Sequence, residues 1–182
     1  MPSADDAPST RFDAASTDGL DDEVVAEFSN FLAAHADAFE RSRSQGHFTG
    51  SAWLVTADGR RVLLTHHRKL GRWLQLGGHA DGDRDLARVA LREAEEESGL
   101  RGLVVERAIF DLDRHWIPER GVEPGHWHYD VRFIVRATID EEFIIGEESL
   151  DLAWKDIADI AADEHADPSL RRMARRWLER VD

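Results

Sequence analysis

Glu93, Glu96 and Glu97 stand at i, i+3 and i+4, a spacing that places three carboxylates on one face of an α-helix. Like charges that close repel one another. A hard divalent cation with oxygen ligands is the counter-charge that suits them best. Glu95 falls between them and points elsewhere.

The neighbouring sequence is able to build and end such a helix. Leu86, Val89, Ala90 and Ala94 form an apolar stripe opposite the glutamates. Asp83 or Asp81 supplies an N-cap, and Gly99 a left-handed stop. Upstream, residues 47–57 and 61–67 read as strands joined by an Asp58-Gly59 hairpin turn. Residues 73–76 are extended and apolar, and Gly77-Gly78 predicts a sharp turn into the helix. Downstream, residues 103–117 read as a bent strand and residues 119–125 as a loop. Residues 126–137 alternate, with Trp127, Tyr129, Val131, Phe133 and Val135 on a core side and His128, Asp130, Arg132 and Arg136 on a polar side. A short strand at 150–154, a small helix at 155–161 and a closing helix opened by Asp167-Pro168 complete the chain. Helices before, between and after the strands predict an α/β sandwich with a mixed sheet.

Residues 1–20 hold few large apolar side chains and are expected to be disordered. Residues 21–45 carry an N-terminal helix with Asp21 or Asp22 as cap, and residues 46–182 form the main domain. The N-terminal helix is able to dock on its own domain or to exchange within a homodimer, and both arrangements stay open. The 182 residues include 37 acids and 23 bases, a formal net charge of −14, which argues against nucleic acid or an anionic membrane surface as partner. With zero cysteines there is no disulfide, thiolate metal site or cysteine nucleophile, and a cytoplasmic setting is expected.

Arg92-Glu93-Ala94-Glu95-Glu96-Glu97-Ser98-Gly99-Leu100, with Gly78 ahead of it, resembles the Nudix box. The pattern is Gly, five residues, Glu, seven residues, then Arg-Glu-aliphatic-any-Glu-Glu-any-Gly-aliphatic. The likeness runs from about residue 46 to residue 161. It implies a Nudix-type α/β/α sandwich with a mixed central sheet. It also implies Mg²⁺- or Mn²⁺-dependent hydrolysis of a diphosphate bond in a nucleotide-linked or similar small metabolite. On that resemblance Glu93, Glu96, Glu97 and the Gly78 carbonyl are metal ligands, Glu93 is the first choice as general base, and Arg92 orients the carboxylates. Glu147 or Glu148 adds a further ligand from the loop after the long strand. Arg84 stands where the first box glutamate belongs. Arg92 is therefore expected to pair with Asp83, Asp85 or Glu96 instead, and a nucleotide-sensing domain without turnover is the alternative reading.

Arg68, Lys69, Arg72, Arg114 and Arg132 are candidate phosphate contacts, and Trp116 or Trp127 is a candidate platform for a base. His126, His128 and Asp130 alternate on one strand, and His79 follows the glycine pair, so a second metal site with His79 as ligand is conceivable. His79 also resembles the metal-binding histidine of isopentenyl diphosphate isomerases. Gly77 occupies the place of their catalytic cysteine, so an isomerase-like enzyme is the less favoured second alternative.

Overall fold

The computed structural model describes residues 9–67, 71–144 and 149–181. The elements in chain order are α1 (Asp22–Ala34), β1 (Gly46–Val55), β2 (Arg61–His67), β3 (Arg72–Leu74), β4 (Leu76–His79), α2 (Leu86–Ser98), β5 (Val104–Ile117), β6 (His126–Arg136), β7 (Ser149–Asp156), α3 (Ile157–Ala162) and α4 (Pro168–Val181). The sheet runs β3-β2-β1-β6-β5, with β4 added to β1 and β7 to β2. β1 pairs parallel with β6 along ten registered residues and antiparallel with β4, so the sheet is mixed.

All ten residues of β1 are buried because helices cover both faces of the sheet. Phe48, Ala52 and Leu54 join the core beneath α1 and α2, which also holds Phe28, Leu86, Val89, Val131 and Phe133. Trp53 and Val55 join the opposite core with Ile134, Met173, Ala174 and Trp177, the last three from α4. Consecutive side chains of one strand thus feed two separate cores, as the two-residue period of a strand requires.

Helix ends follow local chemistry. The Asp21 carboxylate accepts from the N–H groups of Glu23 and Val24, and Asp167 accepts from that of Ser169 ahead of α4. For α2 the cap is Asp85, which accepts from Arg88 N–H at 3.2 Å. Neither Asp83 nor Asp81 takes that place. Asp83 instead accepts from Asp85 N–H and pairs with Arg88. Gly99 ends the helix at φ +71°, as its type predicts.

Three further expectations change. The glycine pair is no turn: Gly77 and Gly78 lie within β4, opposite Ser51 and Gly50 of β1. The reversal comes later, at Asp81 (φ 48°) and Gly82 (φ 85°). Of the segment 1–20 expected to be disordered, residues 9–20 are placed and residues 1–8 lie outside the described residues. Phe12 stacks on Phe48 and meets Phe28 edge-on, Thr10 N–H bonds the Arg84 carbonyl, and the Thr10 hydroxyl accepts from Leu86 N–H. One aromatic side chain, these two hydrogen bonds and a third from Ile109 N–H to the Ser16 carbonyl hold a stretch that composition alone reads as unfoldable. α1 packs on its own domain, with Phe31 stacked on Tyr129 at 3.8 Å between ring centres.

The polar side of β6 is also buried. Asp130 is 1% and Arg132 2% exposed, lying under α4. Arg132 bonds Asp130 at 2.8 Å, Asp111 at 3.0 Å and Asp113 at 3.3 Å. Arg172 of α4 closes the group on Asp111 and Asp113. Asp130 further accepts from Thr49, Ser51 and Gln75. Arg132 is therefore an internal counter-charge, and the expectation that it meets substrate phosphate is corrected. Its guanidinium is enclosed by three carboxylates. Among the described residues no helix is long and apolar enough to cross a membrane.

Burial alone would push the Asp113 carboxyl up, but His115, Arg132 and Arg172 hold it well below the usual carboxylate range. A carboxylate depressed on folding contributes stability that is complete above its unfolded pKa of about 4 and is lost as pH falls below that value. Asp113→Asn should lower unfolding free energy at pH 7, by about 1–3 kcal/mol. In urea titrations its deficit relative to the native chain should shrink as pH drops below about 4. A deficit that stays constant with pH would remove the electrostatic explanation.

Candidate active site

The site is built where α2 lies across the β1–β4 pair. Gly50 is the contact point on β1: a Cβ there would come within 2.8 Å of the Leu86 carbonyl and 3.0 Å of Val89. On β4, a Cβ at Gly77 would run into Ser51 and one at Gly78 into the Glu93 carboxylate. Gly50 and Gly78 thus let the helix approach the strands without side chains between them, and Gly77 lets β4 close on Ser51 of β1. Leu86, Ala87, Val89, Ala90, Ala94 and Ser98 face the core, while Glu93 and Glu97 border β4 and Glu96 is exposed.

Each carboxylate has its own setting. Glu93 is half-buried, bonded to Arg92 at 2.9 Å and seated against Gly78. Burial raises its pKa, Arg92 opposes the shift, and Glu96 and Asp81 add to it. Glu97 accepts from the N–H of Gly77 at 3.0 Å, tying the last turn of the helix to β4. Glu96 is exposed. Arg92 also donates to the His79 carbonyl at 3.2 Å. Its partners are therefore Glu93 and the β4 backbone; Asp83 is occupied by Arg88 and Asp85 by Arg107. Arg84 points the other way, over the Phe39 ring and toward the Ala36 carbonyl. The missing box glutamate is thus replaced without a new acid for Arg92, a solution the spacing of acids in the sequence did not disclose.

The other candidates scatter. Arg72 is paired with Asp167 at 3.1 Å. Arg114 is paired with Glu27 of α1 and covers the Trp127 ring, which meets Trp116 edge-on. Arg68, Lys69, Glu147 and Glu148 lie outside the described residues. A cavity of about 770 Å³ is lined by Arg72, Trp73, Lys155 and Asp167 among others, and none of the three box glutamates borders it.

The NUDIX domain family matches residues 47–177. The chain belongs to the Nudix hydrolase family. That membership fits the box helix, the glycine strand and the mixed sheet between helices already described. Among solved structures, an Ap4A hydrolase from C. elegans has 13% identity and a TM-score of 0.56, over 74% of this chain and 96% of that one. The dihydroneopterin triphosphate pyrophosphohydrolase of E. coli has 16% identity and a TM-score of 0.55, over 73% of this Nudix chain and 95% of its own. A UDP-X diphosphatase has 19% identity and a TM-score of 0.53, over 90% and 73% respectively. At these identities the likeness is one of fold. No curated protein matches the chain.

Gly78→Ala places a methyl group against the Glu93 carboxylate, which must rotate away from Arg92. If Glu93 and Arg92 serve catalysis, kcat/KM of this Nudix chain should fall by about tenfold to a hundredfold, with a stability loss of about 1–3 kcal/mol. Steady-state kinetics and thermal unfolding on the same preparation measure both. An unchanged kcat/KM would show that the seat of Glu93 does not matter to turnover.

Proposed function

We propose that this Nudix hydrolase cleaves a diphosphate bond in a nucleotide-linked or similar small metabolite with the help of Mg²⁺ or Mn²⁺. The observation that carries the reading is the seating of Glu93 and Glu97 on the glycines of β4, with Arg92 bridging Glu93 to the strand backbone. The donor set suits a hard cation: carboxylates on one face, one of them held in a partly buried seat that favours protonation unless positive charge is supplied. Glu93, Glu96, Glu97 and the Gly78 carbonyl would hold it. When bound, such an ion screens diphosphate oxygens and lowers the pKa of water.

The rest is work for the chain itself. A diphosphate oxygen is already anionic, so attack by water needs a base to take its proton and a rigid frame to aim it. Glu93 is that base. Its raised pKa brings it closer to neutral pH than an exposed glutamate, which favours proton transfer. Arg92 keeps its carboxylate aligned and prevents its rotation into solvent. Glu97 fixes the helix to the strand that presents Gly78. The three structural neighbours are named for Ap4A, dihydroneopterin triphosphate and UDP-X. These names support a substrate in which a phosphate chain joins an aromatic heterocycle to a variable group.

The test is phosphate release, after coupled phosphatase treatment, from a panel of nucleoside diphosphate compounds with Mg²⁺ or Mn²⁺. Glu96→Gln and Glu97→Gln should each lower kcat by about a hundredfold or more. Full activity in both variants would overturn the assignment, and calorimetric binding without product from any panel member would favour the sensing alternative.

A further inference from the structure

We propose that His47, His126 and His128 form a binding site for a transition-metal ion of imidazole preference, such as Zn²⁺, separate from the glutamate face. The three lie on the α4 side of the sheet, on adjacent strands β1 and β6, with His47 and His128 in direct register. One ligand atom from each lies within 4.8 Å of the others. The ring centres of His47 stand 4.9 Å from His126 and 5.0 Å from His128, and those of His126 and His128 are 5.0 Å apart. Among the described residues this is the group of three metal-ligating side chains that gathers to such a distance.

Hydrogen bonding orients the set. His126 Nδ1 lies 2.9 Å from the Pro124 carbonyl and His47 Nδ1 lies 3.3 Å from the Arg43 carbonyl. A carbonyl only accepts, so in both rings Nδ1 carries the proton. A neutral ring then presents Nε2 as a bare lone pair, which is how a backbone carbonyl prepares a histidine for a metal. His47 Nε2 is buried and has no hydrogen-bond partner among the described residues, a state that is costly for a polar atom unless something meets it. His126 Nε2 and His128 Nε2 are 3.1 Å apart. Tetrahedral ligands at Zn–N bonds of about 2.0–2.1 Å stand roughly 3.3 Å from each other, so these two atoms already have the spacing of a ligand pair.

His79 borders the group without joining it. Its ring centre is 5.2 Å from those of His47 and His128, and its Nδ1 accepts from the Arg41 guanidinium. His115 meets the ring of His128 on another side and bonds Asp113. Three protein imidazoles leave one tetrahedral position for water or an oxygen of a bound ligand. The chemistry differs from that of the glutamate face: imidazole selects Zn²⁺, Cu²⁺, Ni²⁺ or Fe²⁺, whereas carboxylates select Mg²⁺ or Mn²⁺.

The experiment uses the full chain after removal of metal with chelator. Isothermal titration with Zn²⁺ in excess Mg²⁺ should give one tight equivalent. Co²⁺ should give the intense visible absorption of a four-coordinate site. In the unsubstituted protein, Zn²⁺ should also move the imidazole ¹⁵N resonances of His47, His126 and His128 and leave that of His165 in place. His47→Gln and His126→Gln should weaken Zn²⁺ by about tenfold or more, whereas Glu96→Gln should not. No tight equivalent, no four-coordinate Co²⁺ spectrum, or imidazole resonances unmoved by Zn²⁺ would each overturn the site, even if the histidine variants fail to fold. None of these readouts depends on hydrolysis, so the outcome is independent of the diphosphatase reading.

Discussion

The close approach of α2 to the β1–β4 pair is the constraint on which the rest of the site depends. A helix packed on a sheet normally stands off by the thickness of its side chains. Here Gly50 and Gly78 remove that thickness where the Leu86 carbonyl and the Glu93 carboxylate of the helix come in, and Gly77 makes room for Ser51 of the neighbouring strand. Bringing the helix so near lets Glu97 reach a strand N–H and Arg92 a strand carbonyl. The acidic face is therefore positioned by backbone contacts, which do not relax as a flexible side chain does. A rigid seat for carboxylates that must share a charged ligand is what electrostatic catalysis asks of a fold.

Mutual repulsion within that face is limited by how its members are distributed. Glu93 is half-buried and paired with Arg92, Glu97 is tied to Gly77, and Glu96 faces solvent where water screens it. On the far side of the sheet the same difficulty is met differently. Three aspartates and two arginines gather there, Asp111, Asp130 and Arg132 buried, Asp113 partly buried and Arg172 at the surface, each guanidinium bridging at least two carboxylates. Removing one acid from such a group leaves charges balanced, whereas removing Arg132 leaves three acids around one arginine. The second change is the more damaging because an unpaired buried charge carries the full desolvation penalty. A chain with net charge −14 can keep acids inside its sheet only by this kind of local accounting.

Most of the framework could be read from period and punctuation. Strand β2, the apolar stripe of α2, the Gly99 stop and the Asp167-Pro168 start all follow from short-range chemistry, and the structure places them as expected. What escaped was set by partners distant in sequence. The glycine pair looked like a turn because glycine permits one, and only the approach of Ser51 and Glu93 shows why side chains are excluded there. Alternation along β6 suggested a wet face, since nothing local reveals that α4 covers it. Arg132 was thus read as a ligand contact when Asp111, Asp113 and Asp130 had already claimed it. The anchoring of segment 9–20 rests on Phe12, one aromatic in a polar run, whose pocket is made by Phe28 and Phe48. His47 belonged to no pattern in the sequence and joins His126 and His128 only through parallel pairing of β1 with β6.

The two-residue period of the strands also explains how one small sheet keeps the box carboxylates apart from the histidine cluster. Gly78 and His79 are neighbours in β4, yet the position of Gly78 faces the Glu93 carboxylate and the ring of His79 faces His47 and His128. The box glutamates therefore lie on the α2 side and the imidazoles on the α4 side, where Asp111, Asp113 and Asp130 are committed to Arg132 and Arg172. Swapping donor types across the sheet would require a one-residue register slip, which would also drive Phe48 and Leu54 out of their core. The hydrophobic pattern that fixes register thus fixes ligand segregation as well. Arg92 donates to both the Glu93 carboxylate and the His79 carbonyl, so one side chain joins the acidic face of α2 to the strand that carries His79.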